Sequence, residues 1–441
     1  MNTVPMSKNK TFCMAPWVHM NIAPNGDVYP CCLMPLEHPD NEEEHQETEE
    51  LSPITKETAI EIISTECNGD SRTFGMGSLM NESLKEIWNN EKMRELRRNM
   101  LCGKKSEYCT TCYKEEEVGH TSARQNMNIT YGSHYKYVKE TKEDGTFDRF
   151  NLIYWDFRLN NVCNFKCRMC GPGYSSSWEQ EMRKTFDIDG EYPKIDIQGV
   201  LEDVEPLYDI VEEVYFAGGE PLIADHHYTI LKNLIQRGRN EEVRLSYNTN
   251  FSTLKYKDHD VLELWKRFPR LAIQVSCDGI EKRGELIRKG FDWQRFLDNY
   301  KNFRNKFPYQ RLTINCVVQI LNSFHFIDVH KELYLRGIIK DWDDFNLCLL
   351  HSPDYLSITL LDSESRKTLG EQIKYHIKNY LVPAKANKSI GQYMSVLKLL
   401  SADKNEHLLP TFKSYMSTLD IIRNENSLEV FPELKRILEN V

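Results

Sequence analysis

Between residues 152 and 350, short apolar runs rich in β-branched residues alternate with longer stretches in which apolar residues recur every three or four positions. Such short runs are typical of strands, and the longer stretches have the periodicity of amphipathic helices. The predicted strands are 152–159, 213–216, 243–248, 271–276, 312–320 and 345–350. The predicted helices are 176–186, 226–237, 258–268, 293–307 and 325–336. Repeated strand–helix units favour parallel pairing, and hence a barrel or a wound sheet.

The first 150 residues have a different pattern. Pro24 to Asp27 spell a strong turn signal with apolar residues on both sides, which predicts a hairpin that brings Cys13 and Cys31 together. Residues 79–101 carry an approximately amphipathic stripe that predicts one helix.

Several polar residues near this predicted helix are expected at the surface. Arg94, Arg97 and Arg98 fall on its polar side, and Ser122 and Arg124 lie in a polar connector, 113–150. Residues 37–66 hold eleven Asp or Glu against one Lys, which is typical of a solvated insertion.

These patterns divide the chain into three predicted regions. They are a small cysteine-rich module, 1–150; an α/β domain, 151–352; and a mostly helical tail, 353–441, that covers the domain or closes its bottom.

Composition narrows the function classes. The 441 residues are 40% hydrophobic and 28% charged, as in ordinary globular proteins. The formal net charge of −10 gives no electrostatic footprint for nucleic acid. We find no run long enough to span a bilayer and no signal peptide, so we expect a cytoplasmic protein without a membrane partner. In a reducing compartment, thirteen cysteines favour metal ligation or catalysis over disulfides.

Cys163, Cys167 and Cys170 form a C-x3-C-x2-C triplet just after the first predicted strand of the α/β domain. Three thiolates on one loop can bind three irons of a [4Fe–4S] cube and leave the fourth iron open to a ligand. The alternative is a zinc site, but zinc requires a fourth ligand, and the Gly171-Pro172-Gly173 segment supplies none.

A second set of thiols falls in the first 150 residues. Cys13 and Cys31 on the predicted hairpin, with the pair Cys109 and Cys112, make four ligands that suit either zinc or an iron–sulfur cube. The spacing does not decide between Cys31 and its neighbour Cys32, and Cys102 could replace another ligand. Cys277, Cys316 and Cys348 lie on predicted strands and are expected to be small buried residues.

The triplet resembles the signature of the radical S-adenosylmethionine (SAM) superfamily, C-x3-C-x-Φ-C, with Met169 at the usually aromatic position Φ. The opening of the chain, Cys13-x12-Gly26-x4-Cys31, resembles the SPASM and twitch modules that carry auxiliary [4Fe–4S] clusters, although in most relatives the module follows the catalytic domain. This resemblance implies a partial (β/α)6 TIM-like barrel whose functional residues gather at the carboxyl ends of the strands.

The resemblance also implies a set of SAM-binding residues. Gly218, Gly219 and Glu220 resemble the GGE motif that holds the SAM ammonium group, and Ser276 and Asp278 resemble its S-x-D-G motif. The remaining candidates are Asn248 and Asn250 for the ribose, Arg288 for the SAM carboxylate, Val318 for the adenine pocket, Met169 in the signature, and His351 as a substrate contact.

The resemblance implies an enzyme in which the Cys163/Cys167/Cys170 cluster reduces SAM to methionine and a 5′-deoxyadenosyl radical, which abstracts hydrogen from a substrate. Relatives of this kind often act on peptides, so we predict a peptide or protein substrate, with a sugar, nucleotide or other small metabolite as the alternative. The auxiliary cluster would assist, and flavodoxin or ferredoxin would supply electrons. A zinc-stabilised interaction protein is the rival hypothesis, but it leaves the GGE motif unexplained.

Overall fold

The computed structural model describes residues 9–34, 55–60, 75–117, 121–350, 352–402 and 405–439. Most of the predicted acidic insertion, and His351, lie outside the described residues. The strands of the described parts are β1 (His19–Ile22), β2 (Asp27–Tyr29), β3 (Gly77–Ser78), β4 (Tyr154–Phe157), β5 (Lys166–Cys167), β6 (Glu213–Phe216), β7 (Arg244–Thr249), β8 (Lys255–Tyr256), β9 (His259–Asp260), β10 (Leu271–Ser276), β11 (Arg288–Lys289), β12 (Leu312–Val318) and β13 (Phe345–Leu349).

The central sheet has the order β13-β12-β10-β7-β6-β4-β1-β2-β3, while β5 pairs with β11 and β8 with β9. All six strands predicted in the α/β domain are present, and each is parallel to its neighbour in that domain. The fold is therefore α/β with a mainly parallel sheet, as expected of a partial TIM-like barrel.

The sheet continues into the cysteine-rich module. Strand β1 runs parallel to β4, with Asn21 opposite Asp156, and β2 returns antiparallel to β1 as the predicted hairpin. The turn of this hairpin holds Gly26 at φ +92°, a conformation that favours glycine. The module is thereby joined to the edge of the barrel sheet by backbone hydrogen bonds.

The α-helices complete the list of elements: α1 (Ala15–Val18), α2 (Leu84–Trp88), α3 (Glu91–Leu101), α4 (Thr110–Glu117), α5 (Ala123–Tyr131), α6 (Tyr135–Val138), α7 (Ser176–Phe186), α8 (Ile197–Asp203), α9 (Asp225–Gln236), α10 (Val261–Trp265), α11 (Glu281–Ile287), α12 (Trp293–Lys306), α13 (Phe326–Leu335), α14 (Ser363–His376), α15 (Val382–Ala384), α16 (Asn387–Leu400), α17 (Leu409–Arg423), α18 (Ser427–Val430) and α19 (Lys435–Glu439). A single π-helical segment, Ile377–Leu381, joins α14 to α15. The tail is helical as predicted, and no described helix has the length and apolar character needed to cross a bilayer.

Residues on β10 and β12 alternate between buried and half-exposed. The buried set, such as Ile273 and Ile314, belongs to the hydrophobic core. In an α/β barrel the helices cover the outer face of the sheet. The half-exposed set, which includes Gln274 and Asn315, therefore lines the barrel interior.

The single helix predicted over residues 79–101 is wrong. Asn90 caps a new helix by accepting a hydrogen bond from the Met93 N–H at 3.2 Å, so α2 and α3 are separate. Arg97 is buried instead of exposed, since its guanidinium donates to the Pro16 carbonyl at 2.9 Å and lies over the Trp88 ring. Its Nη1 also donates to Asn89 Oδ1 at 2.9 Å, and these two hydrogen bonds and the stacking on Trp88 offset part of the cost of burying the guanidinium.

The prediction that Ser122 and Arg124 lie at the surface is also wrong. Ser122 is fully buried and caps α5, and Arg124 is 7% exposed. Arg124 pairs with Glu116 at 2.6 Å and donates to the Phe12 carbonyl at 2.6 Å. It therefore ties the connector to the residue that precedes Cys13.

Candidate active site

The loop that carries the cysteine triplet follows β4 and is fixed by a short antiparallel pair. Cys167 on β5 lies opposite Arg288 on β11, and the Arg168 N–H donates to the Ile287 carbonyl at 2.8 Å. Gly290 follows β11 at φ +107°, and a Cβ at this position would lie 2.9 Å from the Asn164 carbonyl oxygen. This close approach explains why a glycine follows Arg288 and Lys289.

The three thiols of the triplet lie at the surface of this loop that borders the barrel mouth. Cys167 is buried, whereas Cys163 and Cys170 are half-buried. Burial raises the pKa of the Cys163 thiol to about 12 and also raises the pKa of Cys167, and Arg288 opposes both shifts. The Phe165 N–H points to Cys163 Sγ at 3.5 Å, and Arg288 Nη1 lies 3.8 Å from Cys167 Sγ. Three thiols on one loop, two of them with an N–H donor at the sulfur, form a donor set that fits a [4Fe–4S] cube.

The Gly218-Gly219-Glu220 segment after β6 sits directly on the cysteine loop. The Glu220 N–H donates to the Val162 carbonyl at 2.7 Å. A Cβ on Gly219 would lie 2.1 Å from that same oxygen, so no larger residue fits without moving the loop. Gly218 has φ +110° and faces Arg158. The two glycines therefore bring the Glu220 carboxylate beside the cysteine triplet.

Glu220 itself is 2% exposed and accepts three hydrogen bonds. They come from the Thr249 hydroxyl at 2.7 Å, the Asn250 N–H at 2.6 Å and the Leu222 N–H at 3.0 Å. Burial outweighs these donors and raises the pKa of Glu220 to about 7. A cation that reached this carboxylate would favour its charged form.

The ends of β7 and β10 complete this rim. The Asn250 side chain donates to Asn164 Oδ1 at 2.9 Å, which joins the end of β7 to the cysteine loop. After β10, Asp278 is buried and accepts from the Val317 N–H at 2.7 Å. Its other oxygen lies 2.8 Å from Arg288 Nε, and this ion pair holds the guanidinium next to Cys167. Burial alone would lower the pKa of Arg288, but Asp278 raises it.

The other residues singled out from the sequence differ in their burial and in the face of the sheet on which they lie. Met169 is half-buried against the core, and Ser276 is half-exposed on the interior face of β10. Val318 is fully buried on the opposite face of β12 from Asn315, so Val317 shares the interior face instead. Cys277 and Cys316 are buried as predicted, but Cys348 is exposed, because its position on β13 falls on the interior face.

The helical tail supplies residues that sequence reasoning missed. Arg168, between two of the cysteines, is fully buried and pairs with Asp420 at 2.5 Å and Glu425 at 2.7 Å. Lys289 also reaches Glu425 at 2.7 Å, and the Tyr415 hydroxyl donates to the Arg168 carbonyl at 2.5 Å. We call this set the tail clamp.

A second contact of the tail lies on the other side of the loop. Glu181 on α7 accepts from Lys166 at 2.5 Å and from Arg423 of α17 at 2.8 Å. Arg423 is 0% exposed in its side chain. The tail therefore contacts the cysteine loop directly, in addition to covering the barrel.

The other four cysteines also come together. Cys13 precedes α1, Cys31 follows β2, and Cys109 and Cys112 lie at the start of α4. Burial raises the pKa of all four thiols. Mutual repulsion adds to this shift: Cys13 and Cys112 act on Cys31, and Cys31 and Cys112 act on Cys109.

Cys32 differs from Cys31. Cys32 is exposed, and the charged groups with the largest effects on its pKa are Asp156 and Arg158 in the barrel, ahead of Cys112. Cys31 therefore shares the four-thiol site, and Cys32 faces the barrel. Arg124 lowers the pKa of Cys13 and Cys109. Four thiols beside a buried guanidinium form a donor set that fits an iron–sulfur cube. No three His, Cys, Asp or Glu side chains in the described residues form a site for a single metal ion.

Two parts of the chain match known protein families. Residues 13–113 match the family model of the SPASM iron–sulfur cluster-binding domain, and residues 158–331 match that of the radical SAM superfamily. No curated protein matches the chain at a significant level.

Solved structures of two proteins, anSMEcpe and SuiB, are similar to parts of the chain. Native anSMEcpe with bound AdoMet and Cp18Cys peptide is 17% identical with a TM-score of 0.37, and covers 52% of this chain and 60% of that one. Streptococcus suis SuiB bound to S-adenosylmethionine is 16% identical with a TM-score of 0.37, covering 65% and 63%. SuiB bound to precursor peptide SuiA is 15% identical with a TM-score of 0.36, covering 62% and 59%. The chain thus spans about 60% of the length of these structures.

The order of the two matched domains is the reverse of that in most SPASM proteins, since the cluster-binding domain comes first here. Both family models cover the cysteine sets that the fold brings together. The chain therefore contains a radical SAM domain, with a SPASM-type iron–sulfur cluster-binding domain ahead of it.

Proposed function

We propose that this protein cleaves SAM reductively and abstracts hydrogen from a peptide or protein substrate. Cys163, Cys167 and Cys170 would hold the [4Fe–4S] cluster that binds SAM. Cys13, Cys31, Cys109 and Cys112 would hold an auxiliary [4Fe–4S] cluster. Flavodoxin or ferredoxin would supply the electrons.

One observation carries the proposal: the GGE segment packs on the cysteine loop so closely that Gly219 has no space for a Cβ. When bound, the reduced cluster supplies one electron to SAM, which gives methionine and a 5′-deoxyadenosyl radical able to take hydrogen from a substrate. The residues beside the triplet suit the charged ends of SAM. Glu220 offers a carboxylate to its ammonium group, and Arg288 offers a guanidinium to its carboxylate.

The buried partners of these two residues hold them in place. Three hydrogen-bond donors orient the Glu220 carboxylate. Asp278 orients Arg288 through its Nε and does not occupy every N–H group of the guanidinium. A zinc-stabilised interaction protein requires none of this arrangement. The pairing of β1 with β4 joins the cysteine-rich module to the barrel sheet, which supports electron transfer from a substrate in the barrel to the proposed auxiliary cluster.

The test is anaerobic reconstitution followed by iron and sulfide counting and by a SAM cleavage assay with dithionite. We expect about eight irons per chain, falling to about four when Cys163, Cys167 and Cys170 are all replaced by Ala. We also expect 5′-deoxyadenosine from the wild type alone. Cys102→Ala is the matched control, because Cys102 ends α3 outside both proposed ligand sets. Colourless protein with bound zinc, or iron-loaded protein that yields no 5′-deoxyadenosine, would contradict the proposal.

A peptide substrate is the class that the SPASM resemblance implies, and a sugar, nucleotide or other small metabolite is the alternative. Incubation of the reduced protein and unlabelled SAM with deuterated peptides or with deuterated small metabolites separates the two. Deuterium transfer into 5′-deoxyadenosine from peptides deuterated at carbon supports the peptide class. Transfer only from a deuterated small metabolite supports the alternative.

A further inference from the structure

Four side-chain amides form a continuous hydrogen-bonded row across four neighbouring strands of the barrel interior. Asn346 on β13 donates to Asn315 Oδ1 on β12 at 2.7 Å. The Asn315 nitrogen donates both to Gln274 Oε1 on β10 at 2.9 Å and to Asn248 Oδ1 on β7 at 3.2 Å. We call these four residues the amide row. TIM-like barrels usually fill this layer with branched apolar side chains, so the polar row is a departure.

The direction of the row is set at one end by a lysine of the helical tail. The Lys388 ammonium group on α16 donates to Asn346 Oδ1 and, at 3.2 Å, to the Asp343 carbonyl. An ammonium group can only donate, so the atom of Asn346 next to it must be the oxygen. Asn346 must then present its nitrogen to Asn315, and Asn315 its nitrogen to the last two amides. The identity of each amide atom follows from this cation and not from side-chain shape, which is the same for oxygen and nitrogen.

At the other end, the row presents donors. The oxygens of Gln274 and Asn248 already accept from Asn315. Their nitrogens have no hydrogen-bond partner among the described residues, and both side chains are half-exposed on the interior face. Within the described part of the chain, the four N–H groups of these two nitrogens therefore have no acceptor, and they are open to a ligand in the barrel interior. Such donors are best satisfied by carboxylate or amide carbonyl oxygens.

We propose that the amide row is a substrate subsite that takes a carboxylate or amide carbonyl group and is kept in its donating direction by Lys388. Asn248, which the family resemblance implies for the SAM ribose, then faces the substrate instead. The identification of this ligand with the substrate rests on the proposed function. A peptide offers such oxygens at every residue.

The experiment measures fragment binding to anaerobically reconstituted protein in saturating SAM without reductant, by saturation-transfer NMR. Acetate and N,N-dimethylacetamide carry acceptors only and separate a carboxylate from a carbonyl preference. Methylammonium carries donors only. The measurement is made at pH 6.5, because burial lowers the pKa of Lys388. We expect at least one acceptor probe to bind the wild type tenfold or more tightly than methylammonium.

Lys388→Glu should reverse the row, because a carboxylate accepts where the ammonium donated. Gln274 and Asn248 would then present oxygens, so affinity for the acceptor probe should fall at least tenfold and affinity for methylammonium should rise. Lys388→Met only removes the directing charge and should weaken binding of the acceptor probe severalfold. This variant replaces Lys388→Glu in the test if Lys388→Glu does not fold. Lys398→Glu makes the same charge change on the exposed face of α16 and should bind like the wild type.

Any one of three results overturns the proposal. No acceptor probe binds the wild type, or both Lys388→Glu and Lys388→Met bind the probes with wild-type affinity. The third is that the probes bind the wild type only when SAM is absent. The last result would assign the row to the SAM site. None of these measurements involves SAM cleavage, so their failure is separate from failure of the 5′-deoxyadenosine assay.

Discussion

The two cysteine sites of this chain are held in place by different means. The triplet loop is fixed by buried ion pairs to the tail, such as Arg168 with Asp420, 252 positions away in sequence. The four-thiol site is assembled from the first 125 residues, where Phe12 and Trp17 pack in the core and the buried ion pair of Arg124 with Glu116 links its parts. Loss of the tail should therefore affect the cysteine triplet and spare the four-thiol site. The predictions below test this difference, beginning with the largest effect.

Replacing one thiol in each site should separate their roles. Cys167→Ala should abolish 5′-deoxyadenosine formation, because the cluster at the open-iron site would lose one of three ligands. Cys112→Ala should remove about four irons yet leave SAM cleavage in the absence of substrate at a measurable rate. Liquid chromatography of the nucleoside products, with iron counting, provides both measurements. Equal loss of cleavage in the two variants would show that the sites do not act separately.

Removing the centre of the tail clamp should be the next largest effect. Arg168→Met leaves the partly buried Asp420 without a cation and Glu425 with Lys289 alone, and breaking a buried pair in this way costs at most about 3–5 kcal/mol. We expect a lower unfolding midpoint and weaker iron retention at the triplet, seen as loss of the SAM-perturbed electron paramagnetic resonance signal.

The control for this variant is Arg436→Ala, which breaks an exposed pair of the tail with Glu364. It should leave the midpoint and the spectrum unchanged. An Arg168→Met protein with a full iron content and an unaltered spectrum would show that the clamp only stabilises the tail.

The buried Glu220 should make stability depend on pH. Its pKa is raised from 4.5 to about 7 by burial, so between these values the folded chain holds a proton that the unfolded chain has lost. The free energy of unfolding then falls as the pH rises between these values. The decrease should exceed that of Glu220→Gln by at most about 1.4 kcal/mol per pH unit. Urea unfolding of both apoproteins from pH 4.5 to 7.5 measures this difference. Parallel curves would mean that the three donors keep the carboxylate charged throughout.

The strands and the triplet could be predicted because their signals are local. The β-branched runs around Ile273 and Ile314 bury one face, and the cysteine spacing needs no knowledge of distant residues. The tail clamp could not be predicted, because nothing near Arg168 in sequence indicates that Asp420 will meet it. Arg97 and Arg124 show the same limit: an arginine in a polar stretch looks exposed until its buried acceptors are known.

The amide row is an intermediate case. At least one Asn or Gln stands within each of four successive predicted strands, including Asn248, Gln274, Asn315 and Asn346, so part of the signal was present in the sequence. Register decides whether such residues meet, and register depends on pairing between strands. Here Asn315 lies directly opposite Asn346, which brings the two amides together.

The smallest expected effect concerns a tail contact away from the cysteine loop. Arg283 on α11 pairs with Glu433 at 2.5 Å, but both side chains are about a quarter exposed. Solvent screens such a pair, so Arg283→Ala should cost about 0.2–1 kcal/mol of unfolding free energy. Because this pair does not touch the triplet loop, iron content and the SAM-perturbed spectrum should match the wild type. If Arg283→Ala loses iron as Arg168→Met is expected to, the tail acts on the cluster through its overall docking, and the specific ion pairs of the clamp have no special part in it.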